Sequence, residues 1–320
     1  MLVLNNTDIA QLLSFQEVIE AVETALIDNE KKKCFAPQRL HFDREENTFL
    51  VMPSFSESHF GTKLVSVVPD NSTKQLPVTN GVMILNDAKT GMPLAIFNAA
   101  KLTALRTGAL GAIGIKYMTP PNVSSIGLIG CGVQGIHQAL FACSVRQIEI
   151  IYCLERTPES VQKLAFEINH FFPNVTIVPC KTAEEILSLT DVIVAASRSA
   201  EPVLPDNPDM LQGKHFISIG SYKPDMQELP DSVFRLAGKL AIDSDGARKE
   251  VGDIINPIKK GLITEENVFT LGKVLTNEQQ INVNQTTVYK SAGMALFDLF
   301  VAQEMYKAAV AKKAGQLIQL

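Results

Sequence analysis

Six consecutive residues, Gly130-Cys131-Gly132-Val133-Gln134-Gly135, carry the G-x-G-x-x-G spacing that lets a backbone wrap a phosphate. The flanks give the pattern its force. Ser125-Ile126-Gly127-Leu128-Ile129 reads as a short buried strand before it, and a helical segment runs from Val133 to Ser144 after it. In a strand–turn–helix, Gly130 permits the tight turn, Gly132 lets the backbone approach a pyrophosphate, and Gly135 lets helix and strand pack closely. Val133 and Gln134 open the helix, whose N-terminal amides and dipole favour an anion. The prediction is a dinucleotide-binding turn.

The end of the next strand bears on which dinucleotide. Glu155 lies about twenty residues past Gly135, where a carboxylate accepts hydrogen bonds from ribose hydroxyls and repels a 2′-phosphate. Arg156 and Thr157 follow at once, and such a pair can bind that phosphate. Glu155 favours NAD(H), with NADP(H) as the alternative.

The elements around this turn alternate. Strands are expected at Ile148 to Cys153, Val175 to Val178, Val192 to Ala196, Phe216 to Ile219 and Leu240 to Ile242, with helices at Pro158 to Phe171 and Thr182 to Leu189. That grammar means parallel strands joined by right-handed crossovers, a doubly wound Rossmann sheet. The N-terminal third differs. Ser14-Phe15-Gln16-Glu17 fits a capping box, and Val18, Ala21, Val22, Ala25 and Leu26 make one helical face. Strand-like runs follow at Gln38 to Phe42, Thr48 to Met52, Gly61 to Val68, Val82 to Leu85 and Leu94 to Asn98, then a helix from Leu102 to Tyr117. This is an α+β domain with a largely antiparallel sheet. Pro120-Pro121-Asn122 marks a break, and Thr286 to Lys312 reads as one long helix returning to the first domain. The expected division is therefore 1–118 with 294–320, and a Rossmann domain over 119–293.

Composition excludes several classes. The 320 residues carry 29 basic and 34 acidic side chains, a formal net charge of −5, so no sequence-wide basic field serves nucleic acid. The longest stretch without a charged residue, between Lys116 and Arg146, is broken by Pro120-Pro121 and glycines and does not read as a membrane span. Met1-Leu2-Val3-Leu4-Asn5-Asn6 lacks the basic start of a signal peptide. Five scattered cysteines without a Cys-x-x-Cys pair, and five scattered histidines, predict reduced thiols in a cytoplasmic protein with no metal site.

Several further segments carry a resemblance. They are Thr48-Phe49-Leu50-Val51-Met52-Pro53, Gly61-Thr62-Lys63-Leu64-Val65-Ser66-Val67, Leu76-Pro77-Val78-Thr79-Asn80-Gly81 and the run from Leu94 to Ala109. With Ser218 to Leu229 and Tyr289 to Leu299, in this order along the chain, they closely resemble the ornithine cyclodeaminase/mu-crystallin family. The resemblance implies a homodimer. Each subunit would pair a Rossmann domain with a discontinuous α+β domain for substrate binding and dimerisation. It also implies chemistry at the Cα–N bond of amino or imino acids with a bound nicotinamide. By the same resemblance Arg39, Lys63 and Arg106 face the substrate. An arginine fork suits a carboxylate, and an enclosed lysine amine suits proton exchange near an imine nitrogen. Thr107 begins the contacts on the nicotinamide side, with Ser197 and Ser221 at the ends of later strands.

Two departures separate the members. Cyclodeaminases have an aspartate where this chain has Tyr222, and Asp225-Met226 replaces their Gly-Lys. A phenol, with an ordinary pKa of about 10, is no anion at neutral pH. Val78-Thr79 inverts the Thr-Val order frequent in members after the proline that matches Pro77. The resemblance therefore points to reduction of a cyclic ketimine, Δ1-pyrroline-2-carboxylate or Δ1-piperideine-2-carboxylate, to L-proline or L-pipecolate. Ornithine cyclodeamination, an alanine-type dehydrogenase and a non-catalytic mu-crystallin-like binding protein are the alternatives.

Overall fold

A computed structural model describes residues 1–319, apart from the side chain of Ser72. In chain order its first elements are β1 (Leu2–Leu4), α1 (Asn6–Leu12), α2 (Phe15–Glu30), β2 (Leu40–Arg44), β3 (Asn47–Phe55), β4 (His59–Val67), β5 (Thr79–Asp87), β6 (Pro93–Asn98) and α3 (Ala99–Met118). Then come β7 (Ser125–Ile129), α4 (Val133–Val145), β8 (Ile150–Leu154), α5 (Pro158–Phe171), β9 (Thr176–Pro179), α6 (Ala183–Leu189), β10 (Val192–Ala195), α7 (Pro208–Leu211) and β11 (His215–Ser218). The last are α8 (Asp231–Ala237), β12 (Leu240–Ile242), α9 (Gly252–Lys259), β13 (Val268–Thr270), α10 (Leu271–Leu275), β14 (Thr287–Lys290), α11 (Ala295–Lys312) and β15 (Gln316–Leu317).

The chain forms two compact units, Met1–Arg106 with the segment from Met294 onward, and Thr107–Gly293. In the first, the strand order is β15-β1-β6-β5-β4-β3-β2; β1 runs parallel to β6, and every other pairing is antiparallel. The Ser14 capping box forms as its spacing predicts: the Glu17 amide donates to the Ser14 hydroxyl at 3.3 Å and the Ser14 amide to the Glu17 carboxylate at 2.7 Å. One sheet face is buried, with Met52, Ser54, Lys63, Met83, Leu85 and Phe97 pointing inward, and α11 packs across β3 to β5 and against α2. On the other face Leu40, Phe42, Phe49, Leu64 and Val82 are exposed.

The second unit is a parallel sheet in the order β13-β12-β14-β11-β10-β7-β8-β9. Its first strands and helices lie where the hydrophobic pattern puts them, because each strand is a buried run between turn signals. Two expectations need correction. The segment 286–312 is not one helix. Thr287–Lys290 is a buried strand pairing with both β11 and β12. Its β-branched and aromatic residues suit a strand buried on both faces, while the apolar spacing happens to continue into α11. The Asp243 carboxylate then accepts the Ala292 and Gly293 amides at 2.9 and 2.6 Å, and Gly293 turns at φ +79° before α11 begins.

The division between units also falls within α3, between Arg106 and Thr107, rather than at its end. The second half of α3 is buried in the Rossmann unit because it carries glycines where α4 approaches. A Cβ on Gly108 would lie 2.5 Å from the Phe141 ring and 2.9 Å from the His137 carbonyl. Arg146 collects the carbonyls at the end of α3, donating to Ile115, Lys116 and Thr119 at 2.9, 2.8 and 3.2 Å. A cation there completes the orphan acceptors of a helix C-terminus. Among the described residues, no helix is long and apolar enough to cross a membrane.

Candidate functional site

Lys63 stands on β4 with its side chain on the buried face of the sheet, and its ammonium donates to the Asp298 carboxylate at 2.7 Å and to Thr103 at 3.3 Å. Arg106, on α3, donates from Nε to the other Asp298 oxygen at 3.3 Å. Asp298 lies in the first turn of α11 and is fully buried. Lys63 is 2% exposed and Arg106 7% exposed, so three charged groups share a nearly dry site.

Burial is the largest influence on Lys63. It lowers the amine from 10.5 to about 8, aided by the Arg106 and Arg39 cations and opposed by Asp298. Arg39, half-buried on the segment leading into β2, thus acts electrostatically on Lys63. Burial pushes the Asp298 carboxyl up, but Arg106 and Lys63 outweigh it and hold the group below the ordinary carboxylate range. Of the three cations expected to act together, the structure pairs Lys63 and Arg106 with one carboxylate. Asp298 is the residue that sequence reasoning missed. Its signal is a lone acid inside the apolar run Ala295-Leu296-Phe297-Asp298-Leu299-Phe300.

The Rossmann unit presents the glycine turn at the carboxyl end of β7. Gly130 has φ +93°, and a Cβ there would lie 2.8 Å from the Ala196 carbonyl. Gly135 crosses so close to the Gly130 carbonyl that a side chain has no room. This close approach is to the turn itself rather than to the strand. An added Cβ on Gly132 would meet nothing within 4 Å, and no side chain caps the α4 N-terminus. Gln134 Oε1 is buried and accepts no hydrogen bond among the described residues. Open backbone, an uncapped helix start and an orphaned acceptor fit a dinucleotide with phosphate and hydroxyl groups. Val133, at the helix start, is exposed.

Glu155 follows β8 and lies against this turn. Its carboxylate accepts the Cys131 amide at 2.8 Å and the Arg156 amide at 2.7 Å, with Thr157 at 3.4 Å. Arg156 and Thr157 are exposed. Thr107 is buried on α3, and its carbonyl accepts from Gln138 at 2.7 Å.

Ser197 and Ser221 lie at the ends of β10 and β11, but their hydroxyls are engaged by carboxylates. Ser197 donates to Glu228 at 2.7 Å, and Ser221 donates to Asp253. Glu228, Asp253 and Lys290 were not anticipated. Glu228 lies in the quoted run before Leu229, and Lys290 ends a buried strand. Asp253, at the start of α9, carries no motif that would single it out. Among the described residues, no group of three or more His, Cys, Asp or Glu is arranged to hold a metal ion.

Asp298→Asn leaves Lys63 and Arg106 buried without the carboxylate they share. Breaking a buried pair in this way costs about 3–5 kcal/mol. Thermal unfolding should therefore show a clearly lowered Tm; an unchanged Tm would mean that Asp298 does not hold the cluster.

The family model for the ornithine cyclodeaminase/mu-crystallin family matches residues 1–313. A Delta(1)-pyrroline-2-carboxylate reductase of Bacillus cereus is 34% identical over 329 residues, covering 100% of both chains. The solved structure of Thermococcus litoralis Delta(1)-pyrroline-2-carboxylate reductase with NADH and L-proline has a TM-score of 0.92 at 32% identity, covering 99% of this chain and 100% of that one. An archaeal alanine dehydrogenase dimer with bound NAD has a TM-score of 0.91 at 30% identity, covering 100% and 99%. A full-length match with the same two-unit fold leaves one assignment: this chain belongs to the ornithine cyclodeaminase/mu-crystallin family.

Proposed function

We propose that this protein reduces a cyclic imino acid, Δ1-pyrroline-2-carboxylate or Δ1-piperideine-2-carboxylate, to L-proline or L-pipecolate with NADH. The observation that carries the reading is the buried Lys63 amine, lowered to about 8 beside Arg106 and Asp298. The named activities of the Bacillus cereus and Thermococcus litoralis relatives support it. Asp298 takes the Nε edge of Arg106, and the terminal amino groups are the fork we assign to the substrate carboxylate, with Arg39 as the second cation. Below its pKa, Lys63 is an ammonium that can give a proton to an imine nitrogen.

Gly130, Gly132, Val133, Gln134 and Gly135 would hold the pyrophosphate, Glu155 the ribose, and Thr107, Ser197 and Ser221 the nicotinamide side. Bound NADH supplies a hydride to the imine carbon. The thiols are all free, which suits a cytoplasmic location.

The direct test is NADH oxidation with both cyclic imines, alongside ammonia release from ornithine and reductive amination of pyruvate. Cyclic imines should be turned over, with little ammonia from ornithine, because Tyr222 offers no fixed carboxylate for a second amine. Efficient ammonia release from ornithine would overturn the reading. The pH profile follows from Lys63. A proton donor lost above about 8 makes kcat/KM for imine reduction level at lower pH and falling tenfold per unit above it. Proline oxidation should rise through the same range.

Cofactor choice rests on Glu155. Glu155→Ser removes the charge that repels a 2′-phosphate and should shift preference toward NADPH by about tenfold, equivalent to about 1.4 kcal/mol. A wild-type protein preferring NADPH would transfer the role to Arg156 and Thr157.

We also propose a homodimer through the exposed sheet face. Leu40, Leu64 and Val82 form one line across β2, β4 and β5, and Phe42 pairs with Phe49 beside it. An apolar sheet face of this breadth suits a partner. The dimeric alanine dehydrogenase supports the reading. Light scattering should give twice 35.0 kDa for the wild type and 35.0 kDa for Phe42→Glu with Phe49→Glu; a monomeric wild type would refute it.

A further inference from the structure

Three charged side chains in the Rossmann unit are fully buried and linked: Glu228, Asp253 and Lys290. Glu228 accepts the Ser197 amide at 2.8 Å on one oxygen and the Gly220 amide at 2.7 Å on the other. Asp253 accepts the Glu228 and Leu229 amides, each at 3.1 Å. Ser218 bridges the group, donating to Glu228 at 3.0 Å and accepting from Lys290 at 3.0 Å, while Lys290 lies 3.8 Å from Asp253. Two carboxylates and one ammonium leave a single net negative charge with no access to solvent.

Its position in the sheet gives that charge a consequence. The strand order reverses around β7, with β8 on one side and β10, β11 and β14 on the other. In such a sheet a dinucleotide lies across the carboxyl ends of the strands, with its pyrophosphate at the helix start after β7 and its two nucleoside halves on opposite sides. Glu155, after β8, marks the ribose of the adenosine half. The other half then extends over β10 and β11. Glu228 fastens the ends of those two strands, and the first of them abuts Gly130 through Ala196.

We infer that the Glu228–Asp253–Lys290 group favours the oxidised, cationic nicotinamide over the reduced, neutral one, and so makes bound NADH a stronger hydride donor. The inference rests on the NAD(H) reading above. The two forms differ by one unit of charge on the ring, and an unscreened buried charge acts across a longer distance than an exposed one. Hydrogen bonding to the loops positions the floor of the site. The net charge discriminates between the two redox forms bound on it.

The test is to measure Kd for NAD+ and for NADH by calorimetry and fluorescence in variants that change the charge count. Lys290→Met makes the group more negative, and the ratio of Kd for NADH to Kd for NAD+ should rise about fivefold or more. Asp253→Asn makes it neutral, and the ratio should fall by a similar factor; the serine hydroxyls facing it can reverse to suit an amide. The double variant restores the wild-type charge, and its ratio should return to within about twofold of wild type. If Lys290→Met does not fold, Asp253→Asn and the double variant decide the matter alone. Affinities for both forms that fall together, with the ratio unchanged, would overturn the inference and leave only a structural role. A wild type that binds neither form would instead overturn the NAD(H) reading.

Discussion

A single buried carboxylate, Asp298, joins three distant parts of the chain. Lys63 arrives on a strand of the antiparallel sheet, Arg106 on the helix that leaves this unit, and Asp298 on the helix that returns to it. Neither cation could remain buried alone, because an unpaired charge in a dry interior costs several kcal/mol. The discontinuity of the first unit is therefore chemically meaningful. The chain must come back after the Rossmann unit to supply the one group that allows Lys63 and Arg106 to face inward. Helix α11 is buried continuously over residues 295–303 because it fills the core beneath the sheet, and Asp298, the first of its two acids, enters at the point where the two cations wait.

Carboxylates at the ends of parallel strands organise the second unit in the same manner. Glu155 holds the Cys131 amide after β7, Glu228 holds the loops after β10 and β11, and Asp243 holds the turn after β14. Loops leaving buried strands carry amides that no neighbouring strand can accept, and each needs a partner. Supplying those partners as anions places negative charge along the edge where ligands of open α/β sheets bind. Local satisfaction of the backbone and the electrostatic character of the site thus share a cause.

What was legible in the sequence follows from whether the signal is local. The glycine turn, the capping box at Ser14 and the alternation of strand and helix each occupy a short window, and the structure has them where the spacing predicts. Lys63 and Arg106 were legible only through resemblance, because isolated cations look alike on any surface. Asp298, Asp253 and Lys290 act through partners far away in the chain, so no window contains both halves of the interaction. Glu228 meets Ser218 and Gly220 within one short run, but a carboxylate accepting loop amides has no spacing that marks it, and its other partner, Ser197, lies 31 residues away. Strand β14 failed for a related reason. Its buried Val288-Tyr289 can be read at either period, and only its place between β11 and β12 decides the matter. The Gly108 region of α3 likewise belongs to the unit it packs against, not the unit where the helix starts.

Balance among large terms makes Lys63 suited to proton transfer. Desolvation of a buried ammonium costs several kcal/mol, and Arg106 and Arg39 add repulsion. Asp298 at 2.7 Å opposes both. The fall from 10.5 to about 8 corresponds to a residue of roughly 3 kcal/mol against the charged form. With no carboxylate, burial would leave the amine neutral and unable to donate. With a carboxylate and no neighbouring arginine, it would stay firmly charged and reluctant to release its proton. One acid shared between two cations sets the amine between those limits, close to the pH at which a proton can move in either direction. Because Asp298 also serves Lys63, Arg106 meets it through Nε alone, and a bidentate grip would instead occupy the terminal amino groups, the fork we propose for a substrate carboxylate.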